Sequence, residues 1–430
     1  MDTRSAMDIY PLSRLQIWIV GMCFVLNMLD GMDVLAISFA APIIARDWTI
    51  SPQELGIVFS AALAGMAIGA VGISPFSDVI GRRRIILLSL VIIGVGMLAT
   101  AYAQSVAQLV ILRLVAGLGI GSILASLTSL VSEYSPEKYR NFNILFYSAG
   151  YPVGAMLMGF VAAWMLPAFG WRTLFFFAGC VSLSAIPLVY FLVPESIEFL
   201  LKKQPRGSLE LCNDILRKMG RPLLDRLPER EAAHDQGVGV GALLSDERRT
   251  DTLMLWLVFM MSFATLYFLF SWVVKLAVDS GLDIKDAIYA GVSMNLGAFC
   301  GSITVGFLSL KVGLKKVLAA YFFIAAVVII PYGFVRTSVA FVLILIFILM
   351  YFTQGAFTGL YAVAAKLYPT EIRTTGVGWA IGAGRAGAIF GPAVAGFILG
   401  AGVSIGWTFV IFSAPMFVAA LIMSRLQAPD

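Results

Sequence analysis

Charged residues are scarce in this chain. Only 13% of its 430 residues are Asp, Glu, Lys or Arg, 60% are hydrophobic, and the mean hydropathy is +0.91. Ordinary soluble domains carry about a quarter charged residues, so this composition excludes a soluble globular protein. It predicts an all-α protein that crosses a membrane many times, because helices satisfy their own backbone hydrogen bonds in lipid.

Residues suited to metal or redox chemistry are also few. The single histidine is His234, in a polar stretch, and the four cysteines lack the paired spacing of a zinc site. Three of the cysteines lie within apolar stretches, namely Cys23, Cys180 and Cys300. The sequence therefore predicts no metal site, no cofactor and no disulfide framework. No histidine cluster or nucleophile motif occurs in the apolar stretches, so we expect no enzyme active site.

Apolar stretches of about 20 residues, the length that crosses a bilayer, occur twelve times. They lie near residues 16–45, 54–74, 85–104, 108–131, 142–166, 172–193, 252–275, 286–310, 316–335, 339–363, 376–400 and 404–424. The polar start leads straight into the first full-length stretch, so we expect that helix to be retained and not cleaved.

Basic residues lie mostly on one side of the predicted membrane. If both termini are cytoplasmic, 23 of the 30 Lys and Arg residues face the cytoplasm and five face outward, while Arg113 and Arg385 lie within spans. This asymmetry fits the positive-inside rule and predicts cytoplasmic termini. The net charge of +5 is then a topology signal, and it gives no support for nucleic-acid binding.

The spans form two groups of six. The predicted segments are a cytoplasmic N-terminus (1–15), a first six-helix bundle (16–193), a cytoplasmic central loop (194–251) with a short amphipathic helix over 208–219, a second bundle (252–424) and a cytoplasmic C-terminus (425–430). A short turn with glycine and basic residues recurs after the second span of each group, at 74–84 and 306–316. Paired halves of this kind are typical of transporters with a substrate site between the halves.

Two aspartates, Asp30 and Asp33, lie inside the first span. A carboxylate at mid-membrane depth costs about 3 kcal/mol on insertion scales, and residues three apart share one helix face. Close carboxylates in a low dielectric resist simultaneous ionisation, so one of them can bind a proton. The pair therefore predicts a proton or substrate site, the alternative being a structural pair bonded to neighbouring helices.

Several motifs resemble those of the major facilitator superfamily. Asp78, Gly81 and the arginines that follow resemble its loop signature, although Val79 stands where a basic residue is usual and Leu310 replaces the acid in the second turn. The spacing of Arg113, Gly117 and Gly119 resembles another of its patterns. With the Asp-Gly-x-Asp run at 30–33, the set is similar to the aromatic acid:proton symporter family. The resemblance implies import of a benzoate- or hydroxybenzoate-class acid with a proton by alternating access, in a bacterial inner membrane and as a monomer.

An aromatic carboxylate needs a fixed cation and an apolar slot. Arg385 is the first candidate for the cation because a guanidinium binds a carboxylate through two hydrogen bonds. Arg113 is the second, with a helix-packing role as its alternative. Polar and aromatic residues at helical spacing could form the rest of the slot. They are Asn27, Tyr147, Tyr151, Phe263, Tyr267, Phe270, Asn295, Gln354, Phe357 and Tyr361.

Charged residues at the predicted cytoplasmic ends of the helices could form ion pairs that depend on which way the transporter faces. The candidates are Asp78, Arg82, Arg83, Glu133, Arg140 and Arg373, together with Gly81 of the turn that carries the first three. The alternative for the arginines is a plain topology anchor.

Other functions remain open from the sequence. One is a proton-driven exporter, or a symporter of another small organic acid or metabolite. The sequence also leaves open two further functions, a membrane-embedded enzyme and a sensor of aromatic acids.

Overall fold

The structure is a computed structural model that describes residues 12–228, 241, 243–245, 248–335, 338–369 and 372–426. His234, most of the predicted N-terminal segment and the end of the predicted C-terminal segment lie outside these residues. Every regular element of the described residues is a helix, as the composition predicts. The helices are α1 (Arg14–Trp48), α2 (Pro52–Gly72), a 3-10 turn (Ser74–Phe76), α3 (Ser77–Ile80), α4 (Arg82–Ala101), α5 (Val106–Tyr134), α6 (Glu137–Ser148), α7 (Gly150–Leu192), α8 (Ile197–Lys203), α9 (Ser208–Lys218), α10 (Arg249–Asp279), α11 (Ile284–Val312), α12 (Leu314–Tyr332), α13 (Val339–Leu367), α14 (Arg373–Gly400) and α15 (Ile405–Arg425).

Eleven helical segments in the described part of the chain are long and apolar enough to cross a membrane. One of them, Glu137–Leu192, has 56 residues and is interrupted at Gly170 (φ 75°, ψ 175°). Next to this glycine, Trp171 packs edge-on against Trp48 at the end of α1. Further along, the carbonyl of Tyr190 accepts a hydrogen bond from Arg83 at the start of α4. These contacts favour two passes that reverse at Gly170, which would give the twelve predicted crossings.

Serine caps fix where the first two long helices begin. The Ser13 hydroxyl accepts from the backbone N–H of Gln16 while the Gln16 side chain accepts from the backbone N–H of Ser13, and Ser51 and Glu54 form the same reciprocal box at α2. Such boxes satisfy two of the free N–H groups at a helix start. They therefore determine the first residues of α1 and α2, which the apolar stretches alone do not define.

The central loop packs against the end of the bundle where α1 begins, which we call the loop side; the opposite end is the far side. Arg221 is buried and its Nη2 donates to Gln16 Oε1 at 3.3 Å, while Gln16 Nε2 donates to the carbonyl of Tyr134 at 2.9 Å. The predicted amphipathic helix in this loop is confirmed as α9. Its neighbour α8 begins at a Ser196 cap.

Glycines bring the helices of the first half into backbone contact. A Cβ at Gly31 would lie 2.1 Å from the carbonyl oxygen of Tyr151, and a Cβ at Gly154 would lie 1.9 Å from that of Met28. No side chain fits at these distances, so α1 and α7 meet here only because both positions are glycine. This contact fixes the depth of Asp30 against Tyr151.

The two halves meet on the far side. A Cβ at Gly56 in α2 would lie 2.9 Å from the carbonyl oxygen of Pro392 in α14, and Ser60 Oγ donates to the carbonyl of Ile389 at 2.6 Å. Phe59 also packs edge-on against Trp272, with ring centroids 5.4 Å apart. The far ends of α2 and α14 therefore close the space between the halves.

Candidate substrate site and ion-pair networks

Arg385 lies in the middle of α14 and is half-buried. Its charge acts on the hydroxyl groups of Tyr151, Tyr267 and Tyr361, which belong to α7, α10 and α13. Within the described ranges no carboxylate lies at ion-pair distance from it. A cation at this depth needs an anionic or strongly polar partner. Arg385 is therefore available to bind an anionic ligand that comes from outside the chain.

Aromatic rings form a continuous wall beside Arg385. Phe263 stacks on Tyr267 with centroids 5.9 Å apart and meets Phe357 edge-on at 4.7 Å. Phe357 in turn meets Tyr361 edge-on at 5.5 Å, and Tyr361 meets Phe259 at 5.7 Å. Stacking and edge contacts with a benzene ring contribute about 1 kcal/mol each. The sequence prediction did not include Phe259, which shares the helix face of Phe263 four residues away.

Tyr151 connects the two halves at the site. Its ring meets Phe270 of α10 with centroids 6.5 Å apart. Its hydroxyl is buried and has no hydrogen-bond partner among the described residues, although it lies in the electrostatic range of Asp30 and Arg385. A buried hydroxyl without a partner costs about 1–3 kcal/mol, so this group is suited to a hydrogen bond with a bound molecule or water.

Asn27 and Tyr147 are already engaged in packing. Asn27 Nδ2 donates to the carbonyl oxygens of Tyr147 at 3.0 Å and Ser148 at 3.2 Å, which ties α1 to α6. The Tyr147 hydroxyl shares a 2.6 Å hydrogen bond with Thr128 of α5. Their side chains thus support the wall of the site on the first half, and Asn27 Oδ1 is the one atom of the pair left without a partner among the described residues.

Asn295 and Gln354 contribute buried amide oxygens from the second half. Asn295 Nδ2 donates to the carbonyl of Gly291 one turn back at 2.8 Å. Its Oδ1 and the Oε1 of Gln354 have no partner in the described part of the chain. Gln354 lies one turn from Phe357 on α13, so it borders the aromatic wall, whereas Asn295 bonds within α11.

Asp30 and Asp33 are both buried inside the first half. Asp33 Oδ2 accepts a 2.8 Å hydrogen bond from Ser182 Oγ of α7 and lies in the electrostatic range of Arg113. Asp30 lies in the range of Tyr147 and Tyr151 instead, on the side of the Arg385 cluster. The two aspartates therefore face different surroundings. The spacing of three residues could not show this.

Arg113 stands apart from Arg385, although the sequence prediction grouped both as substrate ligands. Its Nη2 donates to Thr100 Oγ1 and Met97 Sδ, each at 2.9 Å, and its guanidinium lies 4.9 Å from the Phe175 ring centroid. These partners belong to α4 and to the part of α7 after Gly170. Arg113 is therefore enclosed within the first half. This position favours the alternative given above, a helix-packing role, over contact with the substrate.

The first glycine-basic turn is held entirely by the first half and the central loop. Arg82 pairs with Glu133 of α5, and the backbone N–H of Arg83 donates to Glu195 Oε1 at 3.0 Å. Gly81 has φ 106°, and a Cβ there would lie 2.3 Å from Glu195 Oε2. Glycine is thus required both by the left-handed backbone and by the carboxylate beside it. Glu195 was not among the residues predicted for the ion pairs.

The remaining predicted ion-pair residues have weaker or different contacts. Asp78 lies 3.6 Å from Arg82 and its side chain is 70% exposed, so Glu133 and not Asp78 is the buried partner of Arg82. Arg373 Nε donates to the carbonyl of Tyr368 at 3.4 Å within the second half. Arg140 is half-buried on α6, and its Nε has no hydrogen-bond partner among the described residues.

Neutralising Glu133 is expected to destabilise the protein more than neutralising Asp78. The side chains of Arg82 and Glu133 are only 12% and 9% exposed, and breaking a buried pair from one side costs about 3–5 kcal/mol, against at most about 1 kcal/mol for an exposed pair. Thermal unfolding in detergent should therefore show a large drop for Glu133→Gln and a small one for Asp78→Asn. Equal drops would contradict the assignment of Glu133 as the main partner.

The chain matches the family model of the Major Facilitator Superfamily over residues 23–309 and 255–429. The chain belongs to this superfamily. It is 32% identical to the 4-hydroxybenzoate transporter PcaK of Pseudomonas aeruginosa, covering 99% of this chain and 96% of that protein. It is 31% identical to a gallate transporter of Pseudomonas putida, covering 98% and 94%. The resemblance to aromatic acid transporters is thereby confirmed, and the chain is a multi-pass membrane transporter and not an enzyme.

Solved structures share the same fold. The crystal structure of a D-xylose-proton symporter superposes with a TM-score of 0.74 at 16% identity, covering 96% of this chain and 98% of that one. A bacterial homologue of the lysosomal transporter Spinster, inward-facing and occupied, gives 0.74 at 17% identity, covering 95% and 97%. The predicted superfamily fold is confirmed.

Proposed function

We propose that this protein is a proton-coupled symporter that imports an aromatic carboxylate of the benzoate or hydroxybenzoate class by alternating access. The observation that carries the proposal is Arg385, a mid-helix cation with no carboxylate partner among the described residues, beside an aromatic wall. A benzoate-type anion fits both features, because its carboxylate can bind the guanidinium while its ring lies on Phe263, Tyr267 or Phe357. The relatives named for 4-hydroxybenzoate and gallate support the same substrate class.

Coupling is assigned to the pair Asp30 and Asp33. A buried carboxylate is most readily accommodated when it is protonated or paired, and Asp30 borders the Arg385 cluster through Tyr151. A proton that enters with the substrate would remove the repulsion between its carboxylate and Asp30. Release toward the loop side would then follow deprotonation.

The membrane arrangement belongs to the same proposal. We place the loop side in the cytoplasm, since the basic residues concentrate at that side. The similarity to bacterial transporters supports a bacterial inner membrane, and we propose that the protein acts there as a monomer. Residues 16–193 and 252–424 would form the moving halves and 194–251 the cytoplasmic connection. The contact of Gly56 with α14 on the far side would keep the site closed to the outside of the cell while the substrate is released to the cytoplasm.

Uptake into proteoliposomes tests this function. An inward proton gradient should drive accumulation of labelled 4-hydroxybenzoate at least about tenfold above protein-free liposomes, and an aliphatic acid of similar size should compete poorly. Reversing the gradient should abolish accumulation. Accumulation only with the reversed gradient would identify an exporter, and no transport of any ring-substituted benzoate would reject the substrate class.

A further inference from the structure

Gln354 carries an unpaired hydrogen-bond acceptor beside the aromatic wall. Its Oε1 is enclosed and has no hydrogen-bond partner among the described residues, while the residue as a whole is only half-buried. An acceptor buried in this way has lost its hydrogen bonds to water without replacing them. The terminal torsion of a glutamine is broad, so a rotation of the amide can bring the oxygen to the open side of the residue at little cost. Gln354 is therefore suited to accept a hydrogen bond from a bound molecule.

Arg385 lies at one end of the wall. Its neighbour Gly384 packs α14 against α10, since a Cβ at Gly384 would lie 2.5 Å from Phe263 Cδ2. The same Cβ would lie 3.2 Å from the Cβ of Phe259. Phe259 in turn meets Tyr361 of α13. The helix turn that carries Arg385 is thus level with the Phe259 and Tyr361 end of the wall.

Gln354 lies at the other end. On α13 the row of side chains runs from Tyr361 through Phe357 to Gln354, which is two turns or about 10 Å of helix. On α10 it runs in the same direction from Phe263 to Tyr267, whose rings stack with centroids 5.9 Å apart. An aromatic acid whose carboxylate binds Arg385 has its ring on this row. The substituent opposite the carboxylate, in the para position, then points toward Gln354.

The other unpaired amide oxygens of the candidate site are less accessible. Asn27 and Asn295 are 3% and 0% exposed. The Nδ2 of each already donates to a backbone carbonyl, at 3.0 Å for Asn27 and 2.8 Å for Asn295. Turning either oxygen toward a ligand would break these hydrogen bonds. Gln354 is the amide that can respond to a ligand without such a loss.

We infer that Gln354 determines specificity by selecting aromatic acids that carry a hydrogen-bond donor in the para position, such as 4-hydroxybenzoate, over benzoate. The inference rests on the proposed function, because it takes the carboxylate to bind Arg385. The phenolic hydroxyl donates to Gln354 Oε1 and completes its hydrogen bonding. Benzoate leaves this oxygen unpaired, and a site built to bind a substrate hydroxyl discriminates against the analogue that lacks it.

A binding series with para-substituted benzoates tests the inference. 4-Hydroxybenzoate and 4-aminobenzoate carry a donor, whereas the methyl group of 4-methylbenzoate has a similar size and no donor. Calorimetric titration of purified wild type should give about tenfold higher affinity for the two donors, the effect of one hydrogen bond. Gln354→Met should bind all three acids with the affinity that wild type has for 4-methylbenzoate. This substitution removes no hydrogen bond that the structure shows in its described part, so the variant should fold.

Two further variants sharpen the comparison. Thr358→Val is the matched control, because Thr358 lies on the next turn of α13 and its hydroxyl pairs with Ser302 of α11 at 3.0 Å. It should keep the tenfold preference of wild type. Gln354→Asn withdraws the amide by one carbon and should lower the preference, which gives an independent result if the methionine variant is unstable.

The outcomes separate this inference from the proposed function. Equal affinity of wild type for 4-hydroxybenzoate and 4-methylbenzoate would overturn the inference and leave the proposed function intact. A tenfold preference that persists in Gln354→Met, or in Gln354→Asn if only that variant folds, would do the same. If wild type binds none of the three acids, the proposed function is rejected and the inference with it.

Discussion

Replacing Arg385 by methionine is expected to weaken binding of 4-hydroxybenzoate by about 10- to 100-fold. A hydrogen bond to a charged group contributes about 1.5–3 kcal/mol, and each 1.4 kcal/mol changes the dissociation constant tenfold. Methionine keeps most of the apolar stem of the side chain and removes its charge, so the aromatic wall should remain. The loss should therefore appear in affinity and not in the melting temperature of the unliganded protein.

Two further variants sharpen this prediction. Arg385→Lys keeps the charge but loses the forked geometry that fits a carboxylate, so its affinity should lie between those of wild type and the methionine variant. Arg46→Met removes an exposed arginine on the far side, whose one ion-pair partner in the described part of the chain is its neighbour Asp47, and should bind normally. Thermal-shift titration with 4-hydroxybenzoate measures the affinity of all three variants. Unchanged affinity in Arg385→Met would contradict the placement of the carboxylate.

Introducing leucine at Gly56 is expected to reduce transport by about tenfold or more while leaving the folded halves intact. A Cβ at this position would lie 2.9 Å from Pro392 O and 3.2 Å from the Cα atoms of Ala393 and Gly396. Overpacking costs about 1–3 kcal/mol, and here the cost falls only on the state in which the far side is closed. Alternating access requires the state in which the far side is closed. When the substitution lowers the population of this state, the transport rate is expected to fall with it.

Gly72→Leu is the matched control for this prediction. Gly72 belongs to the same helix α2, and nothing lies within 4 Å of the position of its Cβ. Initial rates of labelled substrate uptake in proteoliposomes should be near normal for Gly72→Leu and strongly reduced for Gly56→Leu. Comparable rates in both variants would mean that the far-side contact does not limit transport.

The sequence predicted the membrane helices because hydropathy reports burial in lipid directly. It did not predict how far each helix extends: α1 runs to Trp48, beyond the predicted end at residue 45. The break at Gly170 does fall between the predicted spans 142–166 and 172–193, but its positive φ cannot be obtained from an apolar pattern. Glycine content indicated close packing. Which glycines face which helix, as Gly56 faces Pro392, depends on the tertiary arrangement and cannot be obtained from spacing.

The candidate site was predictable in its residue types and only partly in its grouping. An arginine inside a span carries a high cost wherever it lies, so Arg113 and Arg385 looked alike in the sequence. The structure separates them, because Thr100 and Phe175 enclose Arg113 while Arg385 lies beside three tyrosines. Ser182 and Glu195 were missed as partners of Asp33 and Gly81 since single serines and helix-end glutamates have no distinguishing pattern.

The most direct test of the symport account follows the proton and the acid in one experiment. Proteoliposomes with a pH-sensitive dye inside receive labelled 4-hydroxybenzoate outside, with no gradient imposed, and protein-free liposomes report passive entry of the protonated acid. Above that background, wild type should acidify the interior in step with uptake of the label. Uptake of the label with no acidification beyond the protein-free level would contradict coupled transport.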